Sequence, residues 1–130
     1  MNSELETQIL ELTEELLTCI SQGDWATYQR LCDPTLSAFE PEARGHLVEG
    51  LEFHQFYFNL GGHMGTHNST LVEPRVRLLG EQAAVITYVR LVQSVDASGT
   101  TQTERFEETR VWQFQQNAWR HVHFHRSIGS

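Results

Sequence analysis

Residues 107–127 read EETRVWQFQQNAWRHVHFHRS. Two runs that alternate with a period of two flank Gln115-Gln116-Asn117, a pattern that spells an antiparallel hairpin closed by a short loop. Alternation also assigns faces, because successive side chains of a strand point to opposite sides. On the first strand Arg110, Trp112 and Phe114 share a face. On the second, strict alternation groups Arg120, Val122, Phe124 and Arg126 against Trp119, His121, His123 and His125. Arg110 and Arg126 therefore stand in phase with apolar side chains, a setting that calls for an anion close by.

Working upstream, Ala83–Val95 and Thr100–Phe114 flank the turn Asp96-Ala97-Ser98-Gly99. The longer alternation sets Ala84, Ile86, Tyr88 and Arg90 on one face and Val85, Thr87, Val89 and Leu91 on the other. Ser69–Leu79 is a further strand, and its Pro74 suits an edge or a bulge. These strands follow one another as a four-strand meander. Before them the periodicity changes. Leu5, Ile9, Leu12, Leu16 and Ile20 make one apolar stripe on a helix over Glu4–Ser21, which Gly23 ends. Asp24 caps a second helix that buries Trp25, Tyr28 and Leu31 and stops at Pro34. Leu36–Glu40 reads as a strand and PEARGHLVEG, 41–50, as a loop. The helix over 51–60 is apolar on so many sides that it should be held between other layers. HMGTHN, 63–68, reads as a polar loop with solvated His63 and His67. Helices come first and strands last, so the expected class is α+β: a cone in which a curved antiparallel sheet wraps around N-terminal helices and encloses a hollow fit for a ligand.

A chain of 130 residues makes one domain over 1–130 and buries about two-thirds of its unfolded surface. The formal charge is -8, and all nine cations are arginines, too few and too dispersed for a nucleic-acid face. The N-terminal stretch is acidic and amphipathic, unlike a signal peptide, and no apolar run reaches membrane-spanning length. Two cysteines, Cys19 and Cys32, lack metal-type spacing and read as free thiols in a reducing, cytoplasmic setting. His121, His123 and His125 have a spacing that could bind metal, but no acid ligands accompany them. The expectation is therefore no metal and no cofactor. That strand face should instead pack against a neighbouring subunit in a pH-sensitive contact.

Arg90, Arg110 and Arg126 each lie on an apolar-aromatic strand face, and together they converge if those faces line the hollow. Buried guanidinium groups need negative charge beside them. Glu40, Glu42, Glu107 and Glu108 could supply it from within. Alternatively a bound small carboxylate, or an acidic or phenolic peptide segment, could do so, since the arginine fork matches a carboxylate. His54 is a further donor. An enzyme would use His54 with Tyr57 or Tyr88 as base and donor in the same hollow, but three cations favour anion capture over proton abstraction.

GDW at 23–25, CDPTLSAFEPEA at 32–43, LVEG at 47–50, FHQFYF at 53–58, EETRVW at 107–112 and VHFHRS at 122–127 together resemble the association, or hub, domain of calcium/calmodulin-dependent protein kinase II. The resemblance covers nearly the whole chain in order. It implies the nuclear-transport-factor-2-like cone and a non-catalytic role. It also implies self-assembly into a closed double ring of about 12 to 14 subunits or more. Arg90, Arg110 and Arg126 match the family's basic pocket, with His54 and Tyr57 near it, a pocket suited to small carboxylic acids and to a kinase regulatory segment. Two departures stand out: the loop over 61–68 is shorter than the animal pattern, and nothing here resembles a kinase or a calmodulin-binding helix. The same cone also houses isomerases, dehydratases and cyclases, the alternative use of the hollow.

Overall fold

The computed structural model describes residues 2–60 and 67–128. Helix α1, Asn2–Gln22, carries the predicted stripe, and Gly23 follows it at φ 69°, a left-handed position that glycine enters without a Cβ clash. Asp24 accepts hydrogen bonds from the Thr27 amide at 3.2 Å and the Thr27 hydroxyl at 2.6 Å, capping α2, Trp25–Leu31. Strand β1, Cys32–Phe39, starts ahead of the predicted Leu36, directly where α2 stops. Its register with the last strand breaks between Cys32 and Ser37, the interval that holds Pro34, which has no amide to donate. Within the predicted loop 41–50 the chain makes a 3-10 turn at Pro41–Ala43 and a two-residue strand β2, Val48–Glu49.

After α3, Glu52–Asn59, come β3, His67–Leu78, β4, Ala83–Val95, β5, Thr101–Gln115, and β6, Ala118–Ile128. The predicted loop 63–68 falls mostly outside the described residues. The four long strands pair as the expected antiparallel meander in one sheet ordered β2-β1-β6-β5-β4-β3. One pairing differs: β1 runs parallel to β6, so the sheet is mixed rather than wholly antiparallel. No hairpin joins those two strands, and only a tight turn obliges neighbours to run in opposite directions.

Turn chemistry closes the hairpins. Gln116 and Asn117 stand at φ 52° and 67°, the paired positive values of a two-residue loop that matches strand twist. At the other turn Asp96 accepts from the amides of Ser98 and Thr100, both at 2.9 Å. Pro74 does sit on the edge strand, beside a bulge between Val72 and Arg75 with Glu73 at φ 51°.

A second bulge revises the sequence reading. Val111 pairs with His123 but Trp112 pairs with His121, leaving Val122 as the extra residue. Strict alternation therefore fails at Val122. Trp119, His121 and Phe124 are buried on the concave side, whereas His123 and His125 fall on the convex side.

The core lies between α1, α2 and the concave face, where Ile9, Leu16, Leu31, Leu36, Ile86 and Trp112 are buried. The Trp112 indole N–H donates to Thr13 Oγ1 at 3.1 Å, fixing α1 across the sheet. Helix α3 is covered on one side only. His54 is buried, but Phe56, Tyr57 and Leu60 are 60%, 42% and 71% exposed, so within this chain it is not held between layers as expected. Among the described residues no helix is long and apolar enough to cross a membrane.

Candidate functional site

Pairing of β4 with β5 sets Ile86 opposite Arg110 and Tyr88 opposite Glu108, and pairing of β5 with β6 sets Glu108 opposite Arg126 and Arg110 opposite Phe124. Cross-strand partners share a face. The concave side thus brings Arg90, Arg110 and, through the bulge at Val122, Arg126 to one end of the cone, and Glu108 among them.

The three arginines divide into two clusters. In the inner one Glu108 Oε2 accepts from Arg90 Nη1 at 3.2 Å, while Oε1 accepts from Arg110 Nη2 at 3.2 Å and from the Tyr88 hydroxyl at 2.5 Å. Arg110 Nε also donates to the Tyr88 oxygen at 2.8 Å, and Arg90 Nε to Ser69 Oγ at 3.0 Å. Arg110 then donates through Nη1 to His121 Nε2 at 3.3 Å. That bond makes Nε2 an acceptor, so the ring proton sits on Nδ1, which faces Cys32 Sγ at 3.5 Å. Every member of this chain from Cys32 to Arg90 is buried.

Burial and charge act against each other here. Burial alone would raise the Glu108 carboxyl, but Arg110, then Arg90, and the Tyr88 hydroxyl hold it below the usual range. Burial pushes Tyr88 up to about 12, so its proton stays on the hydroxyl that Glu108 accepts. His121 is driven well below the ordinary imidazole value, first by burial and then by the Arg110 charge, and is neutral. Burial likewise raises the Cys19 and Cys32 thiols to about 12, making them unreactive small hydrophobes, both of them free.

The outer cluster gathers around Glu40. His54 Nε2 lies 2.9 Å from Glu40 Oε1, and Arg126 Nη2 lies 3.9 Å from Glu40 Oε2 while pairing more closely with Glu42. Phe124 separates the two clusters, with the Arg110 guanidinium 4.5 Å from its centroid and the His54 ring at 5.5 Å. Two buried nitrogens of the outer cluster, the Arg126 Nε–H donor and His54 Nδ1, have no hydrogen-bond partner among the described residues. Beside Arg126 opens a groove of about 420 Å³ along Phe39, Glu40, Pro41, His46 and Ile128.

Of the five residues singled out from the sequence, Arg90, Arg110, Arg126 and His54 come together, whereas Tyr57 packs on Phe53 and Phe56 at the outer side of α3. Of the four candidate carboxylates, Glu40, Glu42 and Glu108 meet arginines of the site. Glu107 points outward to Arg105 at 3.4 Å. Glu108 was one of four equal candidates; its position two residues from Arg110, on the same strand face, is the signal that separates it from Glu107. His121 was missed because strict alternation sets it on the face opposite Phe124 and Arg126, and only the bulge at Val122 puts all three on one side. The groups an enzyme would use are engaged: His54 Nε2 faces Glu40, and Tyr88 bonds Glu108 and Arg110. No group of three His, Cys, Asp or Glu among the described residues could hold a metal ion.

Over residues 5–130 the chain matches the model of the calcium/calmodulin dependent protein kinase II association domain. The chain belongs to that family. It is 50% identical to the calcium/calmodulin-dependent protein kinase type II alpha chain of Drosophila melanogaster over 125 residues, which cover 95% of this chain and 24% of the kinase. The chain thus spans about a quarter of that relative's length. Among solved structures it is similar to the association domain of C. elegans CaMKII, with a TM-score of 0.92, 43% identity and 96% of each chain covered. It is likewise similar to the CaMKII hub homology domain of Chlamydomonas reinhardtii, with a TM-score of 0.90, 41% identity, and 97% of this chain and 99% of that one covered. A nuclear-transport-factor-2-like protein of Salmonella enterica, 24% identical with a TM-score of 0.80 over 100% of this chain and 94% of that one, shares the cone fold. An association domain is a hub and not a catalytic unit, which sets aside the isomerase, dehydratase and cyclase alternative for this member.

Proposed function

We propose that the chain closes with copies of itself into a double ring of about 12 to 14 subunits or more. The observation that carries this reading is the uncovered apolar surface of a family whose business is association. Phe56, Tyr57 and Leu60 project from α3, and Leu47 and Ile128 are 45% and 64% exposed. Large apolar side chains grouped in this way mark interaction surfaces. Native mass spectrometry with light scattering tests it: a discrete large oligomer is expected, and a monomer at micromolar concentration overturns it. Phe56→Glu with Leu60→Glu should shrink the assembly while circular dichroism stays unchanged.

A second reading concerns the hollow. Arg90, Arg110, Arg126 and His54, with Tyr57 at the margin, form a site for a small carboxylate or for an acidic segment such as a kinase regulatory segment. The unpartnered Arg126 Nε–H supports it, because a buried N–H without an acceptor is costly and a carboxylate oxygen would relieve it. Thermal unfolding of the wild type with a panel of small carboxylates should show saturable stabilisation that Arg126→Ala removes; a flat response rejects the reading. A kinase domain as the hub's partner, and a cytoplasmic location, belong to this proposal as well.

A further inference from the structure

Glu108 touches two of the three arginines with both of its oxygens. We infer that Glu108 is a resident occupant of the arginine site: the chain's own carboxylate stands where a free one would bind, and it sets how strongly the hollow takes a carboxylate from solution. The inference rests on the carboxylate reading above and names the regulation of that site.

Three observations lead to it. First, the coordination is that of a bound ligand: one oxygen serves Arg110 and Tyr88, and the other serves Arg90. The side chain is fully buried, so no water competes for those contacts. Second, Glu108 and Arg110 are two residues apart on one strand and share a face. The carboxylate is therefore delivered without loss of translational freedom, an advantage that a dissolved acid lacks. Third, the charges do not balance. Two guanidinium groups face one carboxylate in the inner cluster, and Arg126 offers no relief because Glu42 and Glu40 hold it. The interior keeps one unmatched positive charge. Without the Glu108 charge it would keep two, in a space already shaped to hold a carboxylate.

A dissolved carboxylate consequently meets a tethered competitor at Arg90 and Arg110. In the wild type it is left with the donors of the outer cluster. Removing the charge at Glu108 frees the inner fork.

The test is a thermal-unfolding titration of the assembled full chain, wild type against Glu108→Gln, with sodium formate, acetate and propionate and with sodium chloride at matched ionic strength. Glu108→Gln should unfold at a lower temperature in chloride and be restored by carboxylates, with an apparent affinity at least tenfold tighter than that of the wild type. An affinity no tighter than the wild type's overturns the inference. If Glu108→Gln does not fold, Arg90→Gln/Glu108→Gln removes one cation together with the carboxylate, and the same gain is expected of it. The wild-type response alone reports on the carboxylate reading, and the difference between the chains reports on Glu108. A silent wild type with a responsive variant sinks the reading but sustains the inference. A responsive wild type with an equal variant does the reverse, and two silent chains sink both.

Discussion

The concave face of one sheet is filled in two different ways. Toward the β5–β6 loop, Trp112, Ala84 and Ile86 meet α1 through Ile9 and Leu16, and the contact is almost wholly apolar. Toward the other end the same strands present Glu108, Arg110, Tyr88 and Arg90, which meet one another. Both halves are hidden from water, yet one is stabilised by area removed from solvent and the other by hydrogen-bonded ion pairing. An apolar contact tolerates the loss of a partner by leaving a hole; a charged one leaves an unsatisfied ion. The two halves should therefore respond differently to substitution, salt and pH.

Glu108→Ala should have the largest effect, about 3–5 kcal/mol, because it strands Arg90 and Arg110 in the interior. Chemical denaturation in chloride buffers measures it, and a cost below about 1 kcal/mol would place water or another anion at the cluster. Leu16→Ala in the apolar half should cost about 2–5 kcal/mol. Unlike the first, that loss should be indifferent to added carboxylate; a carboxylate-sensitive Leu16→Ala would mean the halves are not separate. Thr13→Val probes a polar tie in the apolar half. It leaves the Trp112 N–H without its acceptor and should cost about 1–3 kcal/mol by the same assay.

His121 separates the halves by pH. It is neutral in the folded chain because burial, then Arg110, hold its pKa well below the ordinary 6.5. Once unfolded, it takes up a proton below that value while the folded form does not. Stability from this group is therefore complete above about pH 6.5 and falls as the pH drops, by about 1.4 kcal/mol per unit. His121→Gln should flatten the profile of unfolding free energy between pH 6.5 and 5.5 by about 1 kcal/mol, since the full slope is reached only well below 6.5, and an unchanged slope would assign the titration elsewhere. Smallest of all, Arg30→Ala removes an exposed pair with Glu15 and should shift stability by no more than about 0.5 kcal/mol.

Most of the cone was legible in the sequence. Periods of three to four and of two separated helices from strands, and Gly23, Asp24 and the Asp96 turn marked the breaks where they occur. Alternation alone could place Arg90 and Arg110 on the inner face, whereas Arg126 reaches it only because of the bulge at Val122. The division of the three between Glu108 and Glu40 with Glu42 was not legible, because four carboxylates were within reach and only the register of β5 on its neighbours selects among them. Tyr57 was carried over as a site residue by the family resemblance, but a helix turns it about 60° away from the face of His54 over three residues, and it packs on Phe53 and Phe56. The parallel β1–β6 pairing was hidden for a different reason: no local turn encodes it.

The extra residue at Val122 gives β6 something like a shifted reading frame. Upstream of it, odd-numbered positions face the interior and are chosen to pack; downstream, odd-numbered positions face outward and are free for another purpose. The letters of HVHFH look repetitive, yet its first histidine is an internal component and its last two belong to the surface. Identical residues one step apart thus live under separate constraints, and a chain could retain every one of those letters, lose the single inserted position, and exchange its interior for its exterior.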